Sequence, residues 1–327
     1  MRSAHRVTTV GIVSAIVCLL WAACFAGAAR ARADYPPASF VEAQVQSVAG
    51  PDKSSTTVAP RLAFVKNGDI WTIAADGGEQ ARLTSGASFE SAPAWSPGRG
   101  ALAYVSRPRA SGSKNARLWI MRSDGTDQRR LTYAGPSLAS GSSALAYSPH
   151  GSLLAGGAKL AAQNEWAVTV LDLKAKTSRI VYRYTSAGGV QSLTWSPDGA
   201  QLVATIEYGG TFGMVRIDVT HDRLIKMHGT SNVESASWRP DGKYLLCSKW
   251  FPSVPGGPYR TILMKPDGTK VKTLGENQRS PVYSPNGSQY AFIVYRGDGT
   301  VLKRAAADGS GITTILAAKD IWSPAWK

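Results

Sequence analysis

Glu90 in FESAPAW and Glu234 in VESASW lie a few residues ahead of a tryptophan in two copies of one short phrase, just before the expected first strands and near the channel mouth. Asp320, in KDIWSPAW, stands somewhat further from its aromatic. Paired carboxylates can divide acid and base roles between them, as at a glycosidic bond, and a set of them can hold a hard cation such as Ca²⁺. Other copies of the phrase put Ser143, Gln191 and Arg279 at the comparable place, so the acids belong to a mixed polar ring. Polar groups lining a wet channel account for that ring without catalysis. His150, His221 and His228 share no metal-ligand spacing.

A second set of residue types points to binding. SKWFPSVPGGPYRT (248–261) carries Trp250, Phe251, Tyr259 and Arg260 on a Pro- and Gly-stiffened stretch. Aromatics and Arg are the residues that most often anchor interfaces, and stiff loops lose less entropy on binding. EYGGTFG (207–213) adds Tyr208 and Phe212, and the polar stretch 107–116 adds Arg107, Arg109 and Lys114. Together they predict an aromatic surface rimmed by positive charge, suited to an envelope or extracellular protein, a peptide or an anionic glycan.

The elements that must position these residues follow from a repeat. Trp95, Tyr147, Trp195, Trp238 and Tyr283 each open an aromatic-x-Pro-x-Gly-like phrase, and Trp326 in SPAWK is a truncated sixth copy; successive aromatics lie 43 to 52 residues apart. A fixed period near that length signals a propeller, solenoid or array. One unit reads as four strands: SAPAWS, ALAYVS, RLWIMRS and DQRRLTY. ALAYVS alternates as a half-buried strand does. Asp76-Gly77, Asp124-Gly125, Asp267-Gly268 and Asp308-Gly309 mark the second hairpin, where Asp-Gly favours a type I′ turn. The last unit holds only a first strand and the unit at Arg61 begins with a second strand. The chain is therefore expected to be all-β: a six-bladed β-propeller of four-stranded antiparallel blades over 61–327, closed by the C-terminal strand joining the first blade.

Ahead of it, Arg2 and Arg6 precede an apolar run from Val10 to Ala29, and Ala31-Arg32-Ala33 suits a signal peptidase. Residues 1–33 read as an export signal and 34–60 as a Pro/Ser/Thr-rich linker. An uncleaved signal or lipidation at Cys24 would be the chain's route to a membrane. Beyond the signal only Cys247 remains, so no internal disulfide can form. The formal charge is +15, spread along the chain without the basic stripe of a nucleic-acid reader.

The run PAWSP (93–97), LAY (102–104), LWIM (118–121), Asp124-Gly125 and RRLT (129–132) resembles the TolB-like propellers, relatives of the WD-type blade. The resemblance covers roughly 61–327 and implies that Trp95, Tyr147, Trp195, Trp238, Tyr283 and Trp326 pack between neighbouring blades. TolB itself carries an α/β domain ahead of its propeller, for which 34–58 is too short. Catalytic relatives attach a peptidase domain, and this sequence contains no G-x-S-x-G. The sequence thus predicts an exported, non-enzymatic binding propeller without a required cofactor. The alternative is a carbohydrate-active lyase or hydrolase working through the channel-mouth carboxylates.

Overall fold

The computed structural model describes residues 60–98, 100–109, 115–140, 144–161, 164–185, 188–252 and 259–327. The expected export signal, the segment 34–58, Lys114 and Ser143 lie outside the described residues.

Among the described residues, twenty-four strands make six sheets of four. Blade 1 contains β1 (Arg61–Lys66), β2 (Asp69–Ala74) and β3 (Ala81–Arg82). Blade 2 is β4 (Ser88–Trp95), β5 (Ala101–Pro108), β6 (Arg117–Arg122) and β7 (Arg129–Arg130). Blade 3 is β8 (Ala146–Tyr147), β9 (Leu153–Lys159), β10 (Glu165–Asp172) and β11 (Thr177–Thr185). Blade 4 is β12 (Val190–Trp195), β13 (Gln201–Tyr208), β14 (Thr211–Asp218) and β15 (Arg223–Ile225). Blade 5 is β16 (Val233–Trp238), β17 (Leu245–Trp250), β18 (Tyr259–Met264) and β19 (Lys270–Glu276). Blade 6 is β20 (Arg279–Tyr283), β21 (Gln289–Arg296), β22 (Gly299–Ala306) and β23 (Thr313–Ala318), and β24 (Ile321–Trp326) returns to blade 1.

There β24 pairs antiparallel with β1, Leu62 opposite Trp326 and Lys66 opposite Ile321, and the Lys327 amide donates to the Arg61 carbonyl at 2.6 Å. The innermost strands touch in cyclic order, β24 to β4, β8, β12, β16, β20 and back to β24. The fold is a closed six-bladed propeller, and the closure falls on blade 1.

Burial follows from this stacking. Each sheet has a neighbour on both faces, so the second strands are buried almost throughout: Leu102 to Ser106 of β5 and Leu202 to Ile206 of β13 show no exposed alternate. The alternation in ALAYVS, expected to mark a half-buried strand, instead describes which of two neighbouring blades each side chain meets. The outer strands β3 and β7 are exposed.

The motif aromatics sit in the seams between blades. Trp195 packs with Ala146, Val168 and Val170 of blade 3, and its indole N–H donates to the Ala146 carbonyl at 3.0 Å. Trp326 does the same toward blade 6, donating to Val282 at 3.0 Å. Trp95 packs against blade 1, Tyr147 against blade 2, Trp238 against blade 4 and Tyr283 against Leu246 of blade 5.

The Asp-Gly turns differ from the type I′ form read from the sequence. Only the glycines have positive φ, +96° at Gly77 and +95° at Gly309, whereas type I′ needs it at both central residues. Each Asp keeps an ordinary backbone and accepts from the amide two residues on, as Asp76 does from Gly78 at 2.9 Å. The glycine has a further reason. A Cβ on Gly77 would stand 3.0 Å from the Ile315 carbonyl oxygen of blade 6, and one on Gly309 2.6 Å from that of Leu274 in blade 5. These turns are therefore bolted to the outer strand of the preceding blade, and only glycine fits the gap.

Candidate functional face

In every blade the first strand starts, the second ends and the third begins at one end of the ring. That end collects the residues singled out above. It is less loop-rich than the sequence suggests: in blades 1, 4 and 6 the second and third strands are joined by two residues, Asn67-Gly68, Gly209-Gly210 and Gly297-Asp298.

Five of the hairpins there place a cation over an aromatic ring. Lys66 lies 4.8 Å from the ring centre of Trp71 in blade 1. In blade 2, Arg107 and Arg109 lie 4.6 and 5.8 Å from Phe89. Lys159 is 5.3 Å from Trp166 in blade 3. In blade 5, Arg260 is 5.5 Å and Lys249 6.0 Å from Phe251. Arg279 lies between Tyr259 at 4.3 Å and Tyr295 at 4.8 Å, and Tyr295 leans on Trp322 of β24 at 5.4 Å. Blade 4 departs: its Tyr208 meets Tyr184 of blade 3 edge to face, ring centres 6.0 Å apart, and Tyr184 stacks on Tyr182 of the same strand at 5.8 Å.

Several expected contact residues are thereby relocated. Arg107 is on β5, paired opposite Phe89, and Arg109 donates to the Asn67 carbonyl at 3.0 Å. Both arginines already hold an aromatic partner in their own chain. Tyr208 and Phe212 flank a two-residue turn on strands; Phe212 is only 7% exposed and belongs to the wall. Trp250 and Tyr259 face each other across β17 and β18, and Arg260 pairs with Glu276 at 2.8 Å. Phe89, Tyr295 and Trp322 had no signal beyond being aromatic, because only the register of the strands places them beside a cation.

The channel-mouth carboxylates separate. Glu90 lies within β4 and Glu234 within β16, not ahead of them, and both are buried, 7% and 5% exposed. Blades 2 and 5 are opposite in a ring of six, so these acids do not form a pair. Glu234 is committed to Arg279, which contacts it through both ends of its guanidinium, Nε to Oε2 at 2.9 Å and Nη2 to Oε1. Burial alone would lower Arg279, but the adjoining carboxylate more than offsets it, holding the guanidinium well above its usual range.

Glu90 has no such partner. Its amide donates to Gly68 at 2.7 Å, Ser106 donates to Oε1 at 3.2 Å, and Oε2 is buried without a hydrogen bond. Asp69 beside it is 5% exposed, gives one oxygen to Arg82 at 2.8 Å and leaves Oδ1 buried and unpartnered. Burial pushes the Glu90 carboxyl up to about 7; the Ser106 hydroxyl pulls the other way, the Asp69 charge adds to the rise and Arg109 opposes it. Asp320 is raised by burial, against the amide of Asn67.

The Ca²⁺ set expected from Glu90, Glu234 and Asp320 is not assembled. Among the described residues, no three His, Cys, Asp or Glu side chains are placed to hold a metal ion. Cys247 is a buried thiol, pushed up to about 12 by burial.

The same architecture occurs in known proteins. TolB of Acinetobacter baumannii superposes with a TM-score of 0.66 at 20% identity, over 81% of this chain and 66% of that one. A putative TolB from Agrobacterium tumefaciens gives 0.62 at 16% identity, over 81% and 91%. The chain thus has the six-bladed propeller fold found in TolB. Two proteins named Tol-Pal system protein TolB, from two strains of Anaeromyxobacter dehalogenans, are 31% identical over 134 residues. That match spans 39% of this chain and 30% of either relative. A chain of a nidogen/laminin complex also superposes, with a TM-score of 0.61 at 8% identity over 82% of this chain and 98% of that one. No family model matches the sequence.

Proposed function

We propose that this TolB-like propeller is a non-enzymatic binding scaffold, exported to the cell envelope or beyond, which offers the face described above to a protein partner bearing acidic groups. The ring of cation–aromatic pairs carries this reading. A cation held over a ring is pre-ordered, so a carboxylate can meet it without first freezing a long side chain. The similarity to proteins of a Tol-Pal system supports a protein as the partner, and the Arg2-to-Ala33 segment supports export. The paired state of Glu234, and its place in the blade opposite Glu90, argue against these two acids serving as the carboxylate pair of a glycosidase.

The test is capture from a cell-envelope extract with the full chain as bait, at low and high salt. A protein retained at moderate salt by the wild type, and lost by both Trp250→Ala/Phe251→Ala and Arg107→Ala/Arg109→Ala variants that still fold, would bear out the reading. Retention by both variants would remove this face from the function. Turnover of a polysaccharide that stops in Glu90→Gln would replace the scaffold with an enzyme.

A further inference from the structure

We propose that Glu90 is a proton-operated latch on this face: neutral, it lies quietly beside Asp69 and keeps blades 1 and 2 closed at their mouth, whereas ionised it sets two like charges in one buried seam and loosens it. The inference rests on the binding reading only for its effect on a partner; the latch itself is a property of the chain.

The geometry is that of a joint. Phe89 and Glu90 of blade 2 grip the Asn67-Gly68 turn of blade 1 from two sides. The Glu90 amide donates to the Gly68 carbonyl at 2.7 Å, and the Phe89 ring stands 2.8 Å from where a Gly68 Cβ would be. Arg109 reaches over to the Asn67 carbonyl at 3.0 Å. Every clamp residue is thus next to Glu90 in sequence or in space. Only a small residue admits this approach, and at φ +78° Gly68 suits a glycine on both counts.

The groups that face the carboxyl do not neutralise it. From β2 comes Asp69, whose second oxygen is taken by Arg82 of β3. From β5 come the Ser106 hydroxyl, which satisfies one oxygen, and Tyr104, which the Glu90 charge helps push upward. Among the described residues, Arg109, just past β5, is the cation that favours ionisation, and its guanidinium is occupied by Phe89 and Asn67. Asp320, ahead of β24, stands against Asn67 on the other side of the same turn. Two carboxylates in one buried seam cannot both ionise cheaply. The carboxyl's position near 7 then places the transition inside the range that an exported protein meets. Protonation removes a negative charge from a face proposed to receive acids, so an acidic partner binds more tightly on the acid side.

The experiment uses the full chain. Thermal unfolding is followed from pH 5 to pH 8 for wild type, Glu90→Gln and Asp69→Asn, alongside binding of poly-L-glutamate at pH 6 and pH 8. The wild type is expected to lose several degrees of Tm as the pH rises, Glu90→Gln to be flat over the same range, and Asp69→Asn to move the midpoint to lower pH. Equal slopes in wild type and Glu90→Gln overturn the latch, as does a midpoint that rises in Asp69→Asn. Poly-L-glutamate should bind the wild type several-fold more weakly at pH 8, with the difference reduced in Glu90→Gln. If the melting slopes are as stated and poly-L-glutamate binds at neither pH, the latch stands and the binding reading falls. If it binds while the two proteins melt alike, the reverse holds.

Discussion

Glu90 and Glu234 stand five and four residues ahead of the motif tryptophan of their blades, and both are buried, yet their surroundings are opposite. Across the seam from Glu234, blade 6 supplies Arg279, a cation that is itself sandwiched by two tyrosines. Across the seam from Glu90, blade 1 supplies Asp69, a second acid. Comparable places on two first strands therefore yield a fixed ion pair on one side of the ring and a titrating group on the other. What decides is the residue contributed by the neighbouring blade, which the repeat does not constrain.

The largest expected effect comes from unpairing Glu234. Arg279→Met should cost about 3–5 kcal/mol in urea unfolding, since it leaves a buried carboxylate without its counterion. Adding Glu234→Gln to it should restore most of the loss, and a double variant no better than the single would break the comparison at its firmer end. Next in size is Glu90. Its ordinary value is 4.5 and its folded value about 7, so the folded protein holds this proton more tightly than the unfolded chain. Stability from this group is complete below pH 4.5 and is lost as the pH rises through 7, by about 3 kcal/mol at 1.36 kcal/mol per unit. The difference between wild type and Glu90→Gln isolates it from other carboxylates. Tyr295→Leu, which removes one ring from Arg279, should cost about 1 kcal/mol beyond lost packing, measured as a double-mutant cycle with Arg279→Met. The smallest is Glu276→Gln. Its partner Arg260 is bonded at 2.8 Å, but the acid is largely exposed, so a change of about 0.5 kcal/mol or less, vanishing in high salt, is expected in the same unfolding assay.

The architecture was legible because it is written six times. The aromatic, proline and glycine spacing gives blade number, and the partial units at Arg61 and Trp326 give the closure, with β24 found on β1. The site was legible only as a list of residue types. Which cation lies over which ring depends on strand register, as with Phe89 opposite Arg107, and on contacts between blades, as with Arg279 and Tyr259. Asp69 carried no sequence signal, for it is the first residue of a strand in a different unit from the acid it perturbs. The turns were misread for a related reason: a preference for Asp-Gly records both a local bend and a neighbour's carbonyl too close for a side chain.

The seam at blade 1 also bears on mechanics. Arg61 and Lys327 lie side by side, joined by one hydrogen bond, because β1 and β24 run antiparallel. Tension applied between these two residues would load the β1–β24 ladder one rung at a time, as a zip and not in shear. The ring would open there first and at low force, while the other five blades remained folded. A propeller tethered at both of these points would act as a fuse, and one tethered at a single point would bear no load across its seam.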